Sequence, residues 1–195
     1  PAPAPLNLVA AARRDAGRLT LCFLLASLTV ASGTINVFFA KELPQSTIYT
    51  IFFWANVAPG MLFGAWLVRR AGVGRALQFY AAGLVLLSLT CWAGWWPAPA
   101  LTFAVVLPLL NGIPFGLMGA YFNEIFREFR TAFSGAAYNI GRIAAGFAPL
   151  LITGLGLHEG GNYFIFSAAL GLAVAIVAGG LRGARPNNNE SERAA

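Results

Sequence analysis

Residues 131–155 read TAFSGAAYNIGRIAAGFAPLLITGL. The stretch is long enough to cross a bilayer, whose hydrocarbon core takes about 20 apolar residues of helix, yet it carries Arg142. A charge at membrane depth costs roughly 2.5–3.5 kcal/mol on insertion scales. Chains keep such residues mainly where they face a protein interior or a watery path. Counting back in fours from Arg142 meets Tyr138 and Ser134, with Asn139 and Gly135 beside them. Residues three and four apart share a helix face. One face of an otherwise apolar helix is therefore polar and cationic, which suits the lining of a solute path better than a lipid-facing anchor.

The rest of the chain supports a membrane setting. It is 195 residues long, 58% hydrophobic and 10% charged, with a mean hydropathy of +0.68. A soluble domain carries about 25% charge. Apolar segments at 19–40, 46–68, 77–94, 101–122, 132–155 and 163–181 predict an all-α, six-span domain over 19–181. Residues 1–18 read as a cytoplasmic linker and 182–195 as a disordered cytoplasmic tail. The Pro-Ala-Pro-Ala-Pro start lacks a charged start with a short apolar core behind it, so it reads as a stiff linker within a longer protein rather than a signal peptide. Cys22 and Cys91 lie in apolar segments and read as small buried hydrophobes. His158 is the single histidine, so no metal site or cofactor is expected.

The basic residues fix an orientation. Arg13, Arg14 and Arg18 precede the first span, and Arg69, Arg70 and Arg75 join the second to the third. Arg127 and Arg130 join the fourth to the fifth, and Arg182, Arg185 and Arg193 follow the sixth. The opposite loops hold only Lys41 beside Glu42, and His158 with Glu159. The positive-inside rule puts both termini in the cytoplasm. The net charge of +6 is thus explained by topology, and no nucleic-acid partner is expected.

Polar and helix-breaking residues recur with a period of three spans. Asn36, Asn56, Asn111 and Asn139 fall in the first, second, fourth and fifth spans. Pro59, Pro108, Pro114 and Pro149 fall in the second, fourth and fifth. The third and sixth hold no Asn, Pro or charge, which predicts peripheral helices that expose residues such as Leu86 and Val174 to lipid. For one Asn alone, interhelical glue worth about 0.6–1 kcal/mol is the simpler reading; the joint distribution is more informative. Gly112, Gly116 and Ala120 repeat every four residues and predict close helix contact. Pro108 and Pro114 flank Asn111 and Gly112 and predict a bent fourth helix. Paired three-helix units of inverted topology are a transporter plan.

Two motifs carry a family resemblance. Ala65-Trp66-Leu67-Val68-Arg69-Arg70-Ala71-Gly72-Val73-Gly74-Arg75 resembles a degenerate form of the cytoplasmic loop signature of the major facilitator superfamily, matching it at Arg70 and Gly72. Arg69 stands where that signature has an acid. Glu124-Ile125-Phe126, then Arg130, Gly135, Tyr138, Asn139, Gly141 and Arg142, is similar to the junction of the tenth and eleventh helices in organic-acid and sialic-acid proton symporters of that superfamily. Arg127 replaces a proline there, and the loop is one residue shorter.

The resemblance implies that the chain is the carboxyl-terminal six-helix half of a multi-pass transporter of the cell inner membrane, with the amino-terminal half as its missing partner. It implies proton-coupled, alternating-access transport of a small anionic solute, an organic acid or sugar acid. Arg142 would meet the carboxylate, with Tyr138, Asn139, Asn36 and Asn111 as further solute contacts. Arg70, Gly72, Glu124 and Arg130 would serve gating. Other readings stay open. Arg142 could instead pair structurally, and Glu124 could be a solvated helix end. A static or channel-like bundle, or an inactive fragment, is the alternative to a transporter. No carboxylate or histidine lies deep in a span, so enzyme chemistry is not expected.

Overall fold

A backbone in hydrocarbon must satisfy its own N–H and C=O groups, and a helix does so within one segment. The apolar runs of this chain do the same. The structure is a computed structural model that describes residues 7–42, 46–126, 128–157 and 161–183, with the backbone alone at 36–42, 46–50, 52–54 and 182–183. The described residues form α1 (Leu8–Arg14), α2 (Ala16–Glu42), α3 (Ser46–Ala71), α4 (Val73–Trp92), α5 (Pro99–Ile125), α6 (Arg130–Ala145), α7 (Ala148–Gly154) and α8 (Asn162–Gly183), with no strand among them. Ala16–Ile35, Val73–Trp92, Pro99–Ile125 and Asn162–Leu181 are each long and apolar enough to cross a membrane. The chain is an all-helical, multi-pass membrane protein. The tail over 184–195 lies outside the described residues.

Three features differ from the sequence reading. Residues 8–14, within the stretch read as linker, form α1, whose first N–H groups are capped by the Asn7 side chain. The stretch 132–155 is two helices and not one. Pro149 has no N–H to give the carbonyl of Ala145, and its ring crowds that turn. The chain tightens ahead of it: the Gly146 N–H meets the carbonyls of both Arg142 and Ile143 at 3.0 Å, and the Phe147 N–H meets that of Ala144 at 3.1 Å. By contrast α5 runs unbroken through Pro108 and Pro114. The third difference concerns α4 and α8. They pack against each other as well as against α5 and α2, so each has an inner face. Leu86 is 63% exposed as expected, but Val174 is fully buried and Ile176, two residues on, is 75% exposed. The absence of polar groups from a helix says little about which of its faces meets lipid.

Helix pairs α3–α5, α4–α8 and α2–α6 make the most extensive contacts. Small residues bring the backbones together. A Cβ on Gly112 would fall on the carbonyl of Val57, and one on Gly60 on the carbonyl of Leu109, so α3 and α5 meet main chain to main chain. A Cβ on Gly141 would stand 2.6 Å from that of Ala26, so α6 also packs closely on α2, with the Ala26 methyl between the two backbones. Around these crossings Phe103, Phe122, Leu25, Leu77, Leu84 and Met118 fill the core.

Candidate functional site

The contact with α2 decides how α6 presents its polar residues. Ala137, Gly141 and Ala145 are buried, so the stripe a quarter-turn away is turned outward. Arg142 and Asn139 are exposed and Tyr138 is half-buried. The Arg142 guanidinium carbon lies 5.6 Å from the centroid of the Tyr138 ring, within cation–π range. Arg142 makes no ion pair with the described residues. It stands in the last turn of α6, directly before the break at Gly146–Phe147. Ser134 leaves the stripe: it is buried and donates to Asn123 Oδ1 at 2.6 Å, joining α6 to the end of α5.

Asn111 lies apart from that stripe. It is fully buried, and its Oδ1 is 2.9 Å from Ser32 Oγ and 3.1 Å from the Tyr80 hydroxyl. The two hydroxyls are 2.5 Å apart, and Ser32 also reaches the carbonyl of Thr29 at 2.8 Å. This orientation leaves Asn111 Nδ2 without a partner. Oxygen and nitrogen of an amide are told apart by their network, and the reverse orientation serves every donor. Nδ2 then donates to both hydroxyls, Tyr80 donates to Ser32, and Ser32 donates to Thr29. We assign that orientation because an unsatisfied buried donor costs about 1–3 kcal/mol. The cluster ties α2, α4 and α5 together. Tyr80 comes from the helix read as bland; its spacing from Leu77, Leu84 and Ser88 was the available signal.

The structure therefore brings Tyr138, Asn139 and Arg142 together on α6 and places Asn111 in the core. The side chain of Asn36 lies outside the described residues. Asn56 donates weakly, at 3.4 Å, to the carbonyl of Val105 on α5.

The residues expected to gate lie at helix ends. Gly72 links α3 to α4 with φ at +82°, and its N–H closes on the carbonyl of Val68 at 2.8 Å. That conformation favours glycine. Arg70 is exposed and stacks on Trp66, 5.5 Å from the ring centroid. Glu124 is exposed in the last turn of α5, and Arg130 is exposed at the start of α6. Arg127 lies outside the described residues.

Ion pairs form around Asp15, which is 3% exposed in the link from α1 to α2. It meets Arg18 at 2.8 Å and Arg14 at 3.5 Å. Arg14 also reaches Glu128, in the link from α5 to α6, at 3.2 Å. The hydrogen bond and charge of Glu128, with Asp15 behind it, hold Arg14 still more firmly in its charged form. Sequence reading missed both acids, although Asp15 and Arg18 stand three apart across a helix start.

Among the described residues no three of His, Cys, Asp or Glu gather as metal ligands. Compared with family models, curated proteins and solved structures, the chain matches none.

Proposed function

We propose that this chain is the carboxyl-terminal half of a secondary transporter and that Arg142, with Tyr138 and Asn139, contacts an anionic organic solute during alternating access coupled to protons. The observation that carries this reading is the placement of Arg142. It lies twelve residues beyond Arg130, or ~18 Å along a helix, on the outward face of an apolar segment, and no carboxylate among the described residues meets it. A guanidinium so placed offers a carboxylate two parallel hydrogen bonds. The break that follows it is of the kind that transporters use where solute sites form near the midplane.

The arrangement of helices adds support for six spans in two inverted repeats. α3, at 26 residues, is ~39 Å long, and α6 with α7 supplies an interrupted fifth span. Exchanging α2 with α5, α3 with α6 and α4 with α8 maps the α3–α5 contact onto α2–α6. It also maps α4–α5 onto α2–α8 and α2–α3 onto α5–α6, and it leaves α4–α8 and α2–α5 in place. The paired contacts differ in extent, and the α3–α4 contact has no comparable counterpart among the described residues. The arginines on alternate links favour cytoplasmic termini.

A second reading rests on the same residue. A cation in the last turn of a helix also complements the helix dipole, so Arg142 can serve as a structural cap.

Proteoliposome uptake of labelled organic acids, with the upstream sequence present, separates the two. Arg142→Lys keeps the charge but loses the fork, and Arg142→Ala loses both. With solute contact, affinity falls in the order wild type, Lys, Ala. A charge-assisted hydrogen bond is worth about 1.5–3 kcal/mol, so the apparent binding constant should rise about tenfold or more. Well-folded Arg142→Ala protein with normal affinity would leave the capping role.

A further inference from the structure

A trough of ≈ 790 Å³ opens between α1, the start of α2 and the flank of α6 that carries Ala132, Ala136 and Ile140, away from the Arg142 stripe. Its walls include Leu8 and Val9 of α1, Phe23 of α2, and Ala136 and Ile140 of α6. Leu8 and Val9 are about half exposed. The lining holds one other polar side chain, Thr20, and one charge, Arg13. The three arginines around the α1–α2 link are not equivalent. Arg14 and Arg18 are engaged by Asp15 and Glu128, whereas exposed Arg13 makes no ion pair with the described residues.

We propose that this trough binds an anionic phospholipid, with one acyl chain lying along α6 and the phosphate at Arg13. Two features choose this occupant. An extended peptide would bring backbone N–H and C=O groups that need partners, and the lining supplies almost none; a helix satisfies its own backbone but, unlike a phospholipid, need not bring the anion that Arg13 calls for. Arg13 stands two residues before Asp15 in the α1–α2 link, where Arg14 reaches Glu128 of the α5–α6 link, so a headgroup there would sit among the charged helix links. Along α6 the walls reach Ile140, ten residues beyond Arg130, or ~15 Å, which leaves room for much of one acyl chain below the headgroup. The reading needs only the membrane setting and is independent of any transport activity.

The test is native mass spectrometry of the purified full chain in detergent, offered phosphatidylglycerol and phosphatidylcholine in turn, with helix content followed by circular dichroism. The wild type should retain one phosphatidylglycerol in preference to phosphatidylcholine. Arg13→Gln should reduce that preference about fivefold, the effect of one basic side chain at an anionic surface. Arg75→Gln, which removes an exposed arginine in the first turn of α4, outside the trough lining, should change nothing. Ala136→Phe fills the trough and should release both lipids. Equal retention of the two lipids by wild type would overturn the proposal, as would an Arg75→Gln effect as large as that of Arg13→Gln. Undiminished binding to folded Ala136→Phe would do the same. Arg13 is exposed and makes no ion pair with the described residues, so its variant reports even if Ala136→Phe does not fold.

Discussion

Asn111 has two hydroxyls within hydrogen-bond reach, whereas Arg142 has a tyrosine ring beside it and no ion pair with an acid among the described residues. Both are polar groups on apolar helices, and the family resemblance grouped them as solute contacts. Burial separates them, because a residue with no exposed surface meets its own helices first. The Ser32–Tyr80–Asn111 cluster should therefore act on stability. Tyr80→Phe should destabilise the fold by about 0.5–1.5 kcal/mol, the range of interhelical hydrogen bonds in membranes. Asn111→Ala should do more, since it removes both amide hydrogen bonds and leaves a cavity at a fully buried site. Unfolding in mixed micelles would measure both variants, and their double mutant should show coupling of about 0.5 kcal/mol or more. Strict additivity would mean that the three groups do not act as one network.

At the scale of the element, glycines in a small-residue stripe differ in what they allow. A Cβ on Gly112 would fall on the carbonyl of Val57, while one on Gly116, a turn later, would stand 3.4 Å from Met61, an ordinary contact. Gly112→Ala should thus destabilise by about 1–3 kcal/mol through overpacking. Gly116→Ala should be neutral, or stabilising by about 0.4–1 kcal/mol through the unfolded chain. Equal effects would show that α3 and α5 do not cross where described. Pro149 offers a second check. Pro149→Ala restores the N–H owed to Ala145, so hydrogen exchange around residues 146–149 should slow. Unchanged exchange would assign the break to Gly146 and Phe147 themselves.

For the whole molecule, hydropathy made the membrane class legible, and length and composition located each apolar segment to within a few residues. Facing was not legible for α4 and α8, because both lipid and core accept Val and Leu. Val174 and Ile176 differ only in rotation about the helix axis. Spin labels should report low oxygen access at Val174 and high access at Ile176; the reverse would rotate α8. The candidate site was half legible. The α6 stripe emerged from spacing, but the Arg14–Glu128 pair joins residues that only the tertiary fold makes neighbours. Cysteines placed at Arg70 and Arg185 should be labelled from the cytoplasm, and those at Pro97 and Glu159 from outside. Labelling of position 70 from outside would sink the proposed topology.

The seam at Gly60 and Gly112 also carries a mechanical consequence. Where two backbones interlock with no side chain between them, neither helix can slide along the other without driving a carbonyl into a Cα. α3 and α5 must then travel as one strut. Whatever shape changes this protein undergoes, their pivots belong at the side-chain-cushioned interfaces around that strut and at the interruption between α6 and α7, where the backbone ladder is already open.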